Sequence, residues 1–206
     1  MLKNSLQLIL FLCLIQISVA NETEFWATSE EDFNLGSGYT FNMIEEIHTK
    51  GEINVYEQYV GVRKVINENF EVGGWYKLVS VKKNDEYREK QRFVFGCKLS
   101  DKIGDFSVSN RFWFERSMSE DFWKYRNKTS LSTKIKFMNR TFTPFVAEEW
   151  FLGLSPNFEL CENRSSLGIG TKFIGNSQLS TYYMIKKDLV GQERIDVIGI
   201  GLSFSF

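Results

Sequence analysis

Ile198-Gly199-Ile200-Gly201-Leu202-Ser203-Phe204-Ser205-Phe206 is the stretch that decides the fold. Ile198, Ile200, Leu202, Phe204 and Phe206 fall on one face, and Gly199, Gly201, Ser203 and Ser205 on the other. A side-chain period of two is a β-strand. One large apolar face opposite a small or polar face suits a wall with hydrocarbon outside and a wet lumen inside, so the segment reads as a transmembrane β-barrel strand. A sandwich strand with one face on a soluble core is the competing reading, and the rest of the chain has to choose.

Working back from this strand, the same pattern repeats. Strands are expected over 39–48, 53–66, 70–82, 87–100, 105–117, 123–137, 142–154, 162–174, 178–188 and 194–206, which makes ten. Where charge marks one face the alternation is plain. In 123–137, Asn127, Thr129, Leu131, Thr133, Ile135 and Phe137 oppose Arg126, Lys128, Ser130, Ser132, Lys134 and Lys136. In 87–100, Phe93, Phe95, Cys97 and Leu99 oppose Arg88, Lys90, Arg92, Gly96 and Lys98. The connections near 67–69, 101–104, 138–141 and 175–177 are short, whereas most of those between them are longer and more polar. Outer-membrane barrels have short periplasmic turns and longer external loops, so the short turns and Phe206 are assigned to the periplasmic end.

The fold class expected is therefore all-β, an antiparallel up-and-down transmembrane barrel of ten strands, with twelve as the alternative. A wall strand over residues 21–35 would make the number odd and start the chain outside. Because single-chain bacterial barrels have even numbers, 21–35 is assigned to an extra segment in the periplasm or lumen, and 39–206 to the barrel.

Composition agrees with a membrane wall. Aromatic residues make up 16% of the chain and there are only 2 Pro, which favours long uninterrupted strands. Tyr39, Phe41, Phe70, Trp75, Tyr76, Trp113, Trp123, Trp150, Tyr182 and Tyr183 are candidates for interfacial girdles and lumen packing. The N-terminus opens with Lys3, runs apolar from Leu6 to Ile17 and reaches Ser18-Val19-Ala20, a secretory signal peptide with cleavage between Ala20 and Asn21. Cleavage removes Lys3 alone of the 25 basic residues and none of the 26 acidic ones, leaving 24 against 26. A near-neutral chain gives no electrostatic case for nucleic acid.

The segments Ser109-Asn110-Arg111-Phe112-Trp113-Phe114-Glu115-Arg116, Trp123-Lys124-Tyr125-Arg126-Asn127-Lys128, Thr143-Pro144-Phe145-Val146-Ala147-Glu148-Glu149 and Asn163-Arg164, with the ending at Phe206, resemble a bacterial outer-membrane β-barrel family catalogued as a domain of unknown function. The resemblance covers nearly the whole mature chain. It implies a single barrel in the outer membrane of a Gram-negative-type bacterium and brings no assigned activity. In that setting outer-membrane lipid, periplasmic chaperones and the barrel-assembly machinery are the partners expected, the last reading Leu202, Phe204 and Phe206.

The inward positions gather Arg88, Arg92, Arg111, Arg126, Lys128 and Arg164 with Glu46, Glu57, Glu115 and one of Glu148 or Glu149, of which Glu148 is assigned to the lumen. Charges in a narrow bore are costly unless paired, so a salt-bridge plug is expected, with an anion path or a small polar ligand site as the functional version. For catalysis there is one His, His48, at the external end of a strand, and no Ser in a nucleophile-elbow context. No activity, metal or cofactor is expected, although an enzyme acting on lipid or peptide at the external rim through His48 is a second reading. A soluble secreted lipocalin-like barrel is a third, and it would carry a Cys97–Cys161 disulfide. The strand map puts those cysteines at opposite ends of the wall, too far apart to bond.

Overall fold

The computed structural model describes residues 23–50, 52–84, 86–155 and 158–206. The signal peptide and the Ala20–Asn21 cleavage site lie outside the described residues. The strands are β1 (Thr23–Gly36), β2 (Tyr39–Thr49), β3 (Ile53–Asn67), β4 (Phe70–Lys83), β5 (Glu86–Ile103), β6 (Phe106–Ser117), β7 (Trp123–Thr133), β8 (Ile135–Phe137), β9 (Arg140–Gly153), β10 (Glu159–Lys172), β11 (Gln178–Asp188) and β12 (Glu193–Ser205). Neighbours in the chain pair as antiparallel hairpins around the ring, and β1 pairs with β12 in parallel, which closes an 11-strand barrel. The short β8 pairs with β9 alone and stands outside the ring. No helix among the described residues is long and apolar enough to cross a membrane, a statement about helical spans only.

Strand number and the N-terminal segment depart from the expectation. Residues 23–36 are a wall strand, neither a periplasmic segment nor a lumen plug. An odd number of up-and-down strands leaves the first and last strands running the same way, so the ring closes through one parallel pair. β1 is held on both faces. Outward, Phe25 and Ala27 are covered by Leu202, with Ile47, Leu179, Ile200 and Phe204 packed around them. Inward, Trp26 is buried against Met184 and Val197. Its acids Glu30 and Asp32 are held by Asn42 of β2, whose Nδ2 donates to Glu30 at 3.1 Å and to Asp32 at 2.8 Å.

The C-terminal strand behaves as its alternation demands. The N–H of Phe206 donates to the Asp32 carbonyl at 2.9 Å and the N–H of Asn34 donates to the Phe206 carbonyl at 3.2 Å, so the last residue fastens the parallel seam. Its ring stacks on Phe33 with centroids 5.1 Å apart, and Phe204 and Leu202 lie on the same outward face. One end of the barrel carries the two-residue turns 37–38, 68–69, 104–105 and 138–139 together with 173–177 and the C-terminus. The opposite, loop end carries 118–122 and 189–192 and the remaining links between ring strands. At 138–139 both residues have positive φ, 46° for Met138 and 61° for Asn139, the primed geometry that matches strand twist in a two-residue hairpin.

Inside, large rings lie over glycines, four of them on a neighbouring strand and one, Gly73, on the ring's own strand. A Cβ at Gly61 or Gly73 would collide with the Trp75 ring, one at Gly96 with Trp113, one at Gly168 with Phe145, and one at Gly199 with Tyr182. Small residues on one strand thus make room for indoles and phenols from the next, and the bore fills with rings. Tyr59, Trp75, Val94 and Trp113 form the resulting inner cluster. Outside, Tyr76, Phe93, Phe95, Leu99, Phe114, Leu131, Val146, Trp150, Leu167, Tyr183 and Ile198 are all exposed. Three outward polar side chains in this band bind outward neighbours: Tyr56 Oη donates to Glu45 at 2.9 Å, Asn127 Nδ2 to Asn110 at 2.6 Å, and Asn163 Nδ2 to Glu148.

Candidate functional site: the barrel lumen

Glu115 of β6 is the centre of the lumen, with no exposed surface. Its Oε2 accepts from Arg92 Nη1 at 2.8 Å and its Oε1 from Arg126 Nη1 at 2.8 Å, while Lys77 Nζ stands 3.8 Å away. Lys77 makes its closer pair with Glu57, at 2.9 Å, and the Tyr59 hydroxyl donates to that same carboxylate at 2.8 Å. Arg126 reaches further round the wall. Its Nη2 donates to Glu149 at 3.0 Å and its Nη1 also to the Tyr59 hydroxyl at 3.3 Å. Arg111 Nη2 donates to the same Glu149 oxygen at 3.1 Å. Three carboxylates and four cations from β3 to β9 thus form one continuous network.

The network is stabilised by rings as well as by charge. Arg126 lies over Trp113 at 5.1 Å and over Phe151 at 4.7 Å, and Arg111 lies over Trp113 at 3.8 Å. An aromatic face attracts a guanidinium by its quadrupole and replaces part of the water the cation has lost. Toward the loop end Arg164 pairs with Glu162 and is sandwiched between Trp26, at 4.7 Å, and Phe151, at 4.4 Å. His48 sits beside it, stacked on Trp26 with centroids 3.7 Å apart and bonded through Nε2 to Glu46 at 2.6 Å.

The structure brings together Arg92, Arg111, Glu115, Arg126, Lys128 and Arg164, as the alternation of their strands requires. It corrects two members of the set. Glu148 points outward beside Trp150 and accepts from Asn163; Glu149 is the lumenal carboxylate, because it shares a face with Phe151, the ring on which Arg126 and Arg164 rest. Two adjacent acids carry no parity of their own, and with aromatics at both 150 and 151 neither face stands out. Arg88 has the inward parity but is exposed at the loop end of β5, beyond the level of the plug. His48 also differs from a solvent-facing rim residue: it is only 7% exposed.

Lys77 and Tyr59 are members the sequence reading leaves out of the network. The signal for Lys77 was available, since Trp75, Lys77 and Val79 alternate on the expected strand 70–82. The turn-end set of Asp32, Asn42, Arg63 and Glu71 was hidden by the misplacement of β1. There Asn42 is completely buried, accepts from Trp75 Nε1 at 2.8 Å and donates to the acids of β1, while Arg63 pairs with Asp32 and, at 3.4 Å, with Glu71.

The contents of the bore are uneven along its axis. The plug and the rings of Trp26, Phe151 and His48 occupy the middle and the loop half. A cavity of about 300 Å³ lies in the turn half, and one of about 330 Å³ runs from Gln178 and Ser203 near the turns past Arg126 and Glu149 of the plug to Trp26, Glu46 and Arg164; Arg111, Trp113 and Lys128 line both. The 300 Å³ cavity is therefore a cup, walled by Trp75, Trp113 and Arg111 on its plug side and extending toward the short turns. Cys97 and Cys161 are both free. Cys97 pairs in register with Val72 and Phe112 on the outward face of β5, and Cys161 is the bulged residue of β10, several strands away. Among the described residues no group of three or more His, Cys, Asp or Glu could hold a metal ion.

Fold and lumen define the class: a closed antiparallel β-barrel, parallel at one seam, with an apolar outer surface and a bore packed with rings and paired charges. The chain belongs to the family described as "Protein of unknown function (DUF2490)", whose model matches residues 23–190. No curated protein matches it significantly.

Proposed function

We propose that the protein is an outer-membrane β-barrel, exported by the signal peptide at 1–20, with a structural, surface or narrow-transport role and not that of an open pore. The observation that carries this reading is the inversion of the two faces. Exposed Phe, Leu, Ile, Val and Tyr ring the outside, while Glu57, Lys77, Arg92, Glu115, Arg126 and Glu149 are packed within. A soluble ligand-binding barrel needs the opposite distribution, and contiguous exposed apolar surface of this extent calls for a partner phase. Closure removes the free edges of the eleven ring strands, and the outward Tyr56, Asn127 and Asn163 bond to outward acceptors on neighbouring strands, as groups facing hydrocarbon must. The plug at the centre argues for restricted passage.

In this reading the short turns face the periplasm and the loop end faces outward, so the cup opens toward the periplasm. Membrane fractionation tests it. The protein should stay in the pellet through carbonate and high salt, come out with detergent, and run as a faster, heat-modifiable band when unheated. Recovery in the soluble fraction without detergent would end the proposal. The rim-enzyme reading depends on His48 and is tested separately, by whether His48→Ala removes a measured lipid- or peptide-modifying activity.

A further inference from the structure

Three cations stand in one row on the inner wall. Lys98 of β5 is directly opposite Arg111 of β6, and Arg111 is directly opposite Lys128 of β7. Like charges placed opposite one another in a sheet destabilise it. The row continues to Glu71, opposite Lys98, and to Glu149, opposite Lys128, but both acids are already engaged: Glu71 by Arg63 at 3.4 Å, Glu149 by Arg111 and Arg126. Among the described residues neither Lys98 nor Lys128 has an ion pair or a side-chain hydrogen bond. The remaining acids of the cup, Glu30 and Asp32, are turned to Asn42, and Asp32 also to Arg63. The 300 Å³ cavity is lined by four cations, Arg63, Lys98, Arg111 and Lys128, against three carboxylates, Glu30, Asp32 and Glu71, and Lys98 and Lys128 are the cations of this set that pair with no carboxylate among the described residues.

The surroundings of the row are those of a site. Lys98, Arg111 and Lys128 all line the 300 Å³ cavity. One step nearer the turns Ser109 and Ser130 face each other and line it too, adding two hydroxyl donors. Arg111 is already oriented, its guanidinium stacked on Trp113 and tied to Glu149. A fixed guanidinium fork flanked by two ammonium groups and two hydroxyls matches a tetrahedral oxyanion of about two negative charges. The volume has room for that anion with a small organic group, at the lower end of small-molecule pockets.

We propose that the turn half of the lumen binds phosphate or the phosphoryl group of a small phosphoester, held by Lys98, Arg111 and Lys128 with Ser109 and Ser130. The site lies in the bore and does not depend on where the barrel resides, so failure of the membrane reading would leave it standing.

The test uses the full mature chain folded in zwitterionic detergent and titrated with inorganic phosphate, ionic strength held constant with chloride. Tryptophan fluorescence reports binding, because Trp75 and Trp113 line the cavity, and thermal melting reports linkage. Saturable binding and a rise in Tm are expected, with Lys98→Gln and Lys128→Gln each weakening binding by about tenfold or more, the loss of one charge-assisted contact. In phosphate-free buffer both variants should melt no lower than the parent, since each relieves like-charge repulsion. Glycerol phosphate, titrated in parallel, identifies a phosphoester as the ligand if it binds more tightly than inorganic phosphate and the free anion if it binds more weakly. No saturable response of the parent up to about 10 mM, a response to chloride of equal size, or variants that bind like the parent would overturn the proposal.

Discussion

Glu115→Gln is the perturbation that weighs the plug. The side chain keeps its size and loses its charge, so packing against Val94 and the strand pairing are preserved. The two carboxylate oxygens serve different guanidiniums, Arg92 and Arg126, each at 2.8 Å. A carboxamide can accept from one and must present its own N–H groups to the other. The three surrounding cations are not hurt equally. Arg126 retains Glu149, and Lys77 retains Glu57 at 2.9 Å. Arg92 has no second carboxylate in the network, and its Nε is buried without a partner even in the parent protein. Removing one partner of a buried pair costs about 3–5 kcal/mol, and with two of three cations still paired the lower end, about 3 kcal/mol, is expected. That is about a hundredfold change in the folded-to-unfolded ratio. The assay is urea unfolding in micelles or lipid vesicles, followed by tryptophan fluorescence and by the heat-modifiable band. Arg92→Met added to Glu115→Gln should cost less than Arg92→Met in the parent, a coupling of about 1–2 kcal/mol. An unchanged urea midpoint for Glu115→Gln, with Arg92→Met equally costly in both backgrounds, would mean that water already satisfies these groups and that no plug exists.

Gly96→Ala should destabilise the barrel by about 1–3 kcal/mol, because the new methyl would lie 2.6 Å from the Phe112 carbonyl oxygen and against the Trp113 ring; Gly74→Ala, whose nearest neighbour is Phe95 at 3.8 Å, should melt within a degree or two of the parent and serves as its control. Deleting Phe206 removes both of its backbone bonds to β1 and the stack on Phe33, so folded barrel in the membrane should fall further than on deleting Gln192 in the 189–192 loop, and equal yields would refute a role in closure or in assembly. Cys97 and Cys161 should both label with maleimide in unfolded protein, and only Cys161 in intact cells; recovery of a Cys97–Cys161 peptide under non-reducing conditions would overturn the strand arrangement itself.

What the sequence made legible follows from the physics of a two-residue period. Where one face is charged and the other apolar, as in β5 and β7, a shift of one residue would put every charge outside, so register and facing are fixed locally. The lumenal Arg92, Arg111, Arg126 and Arg164 are legible for that reason. Parity is lost where like residues adjoin: Glu148-Glu149 followed by Trp150-Phe151 reads equally well in either frame, and only the guanidiniums resting on Phe151 decide it. The same holds for β1, whose run Ser29-Glu30-Glu31-Asp32 looks like a loop until Asn42 and Arg63, contributed by two other strands, are seen to receive Glu30 and Asp32. Its exclusion from the wall also rested on an even-number rule, which describes how known barrels are built and is not a requirement of hydrogen bonding. A parallel pair satisfies its backbone groups nearly as well as an antiparallel one. What closure does require is a last strand whose outward residues cover the first, and Leu202, Ile200 and Phe204 over Phe25 and Ala27 meet that condition. The terminal stretch is thus the partner that makes β1 a strand, and the eleventh place in the ring was implicit in its apolar face.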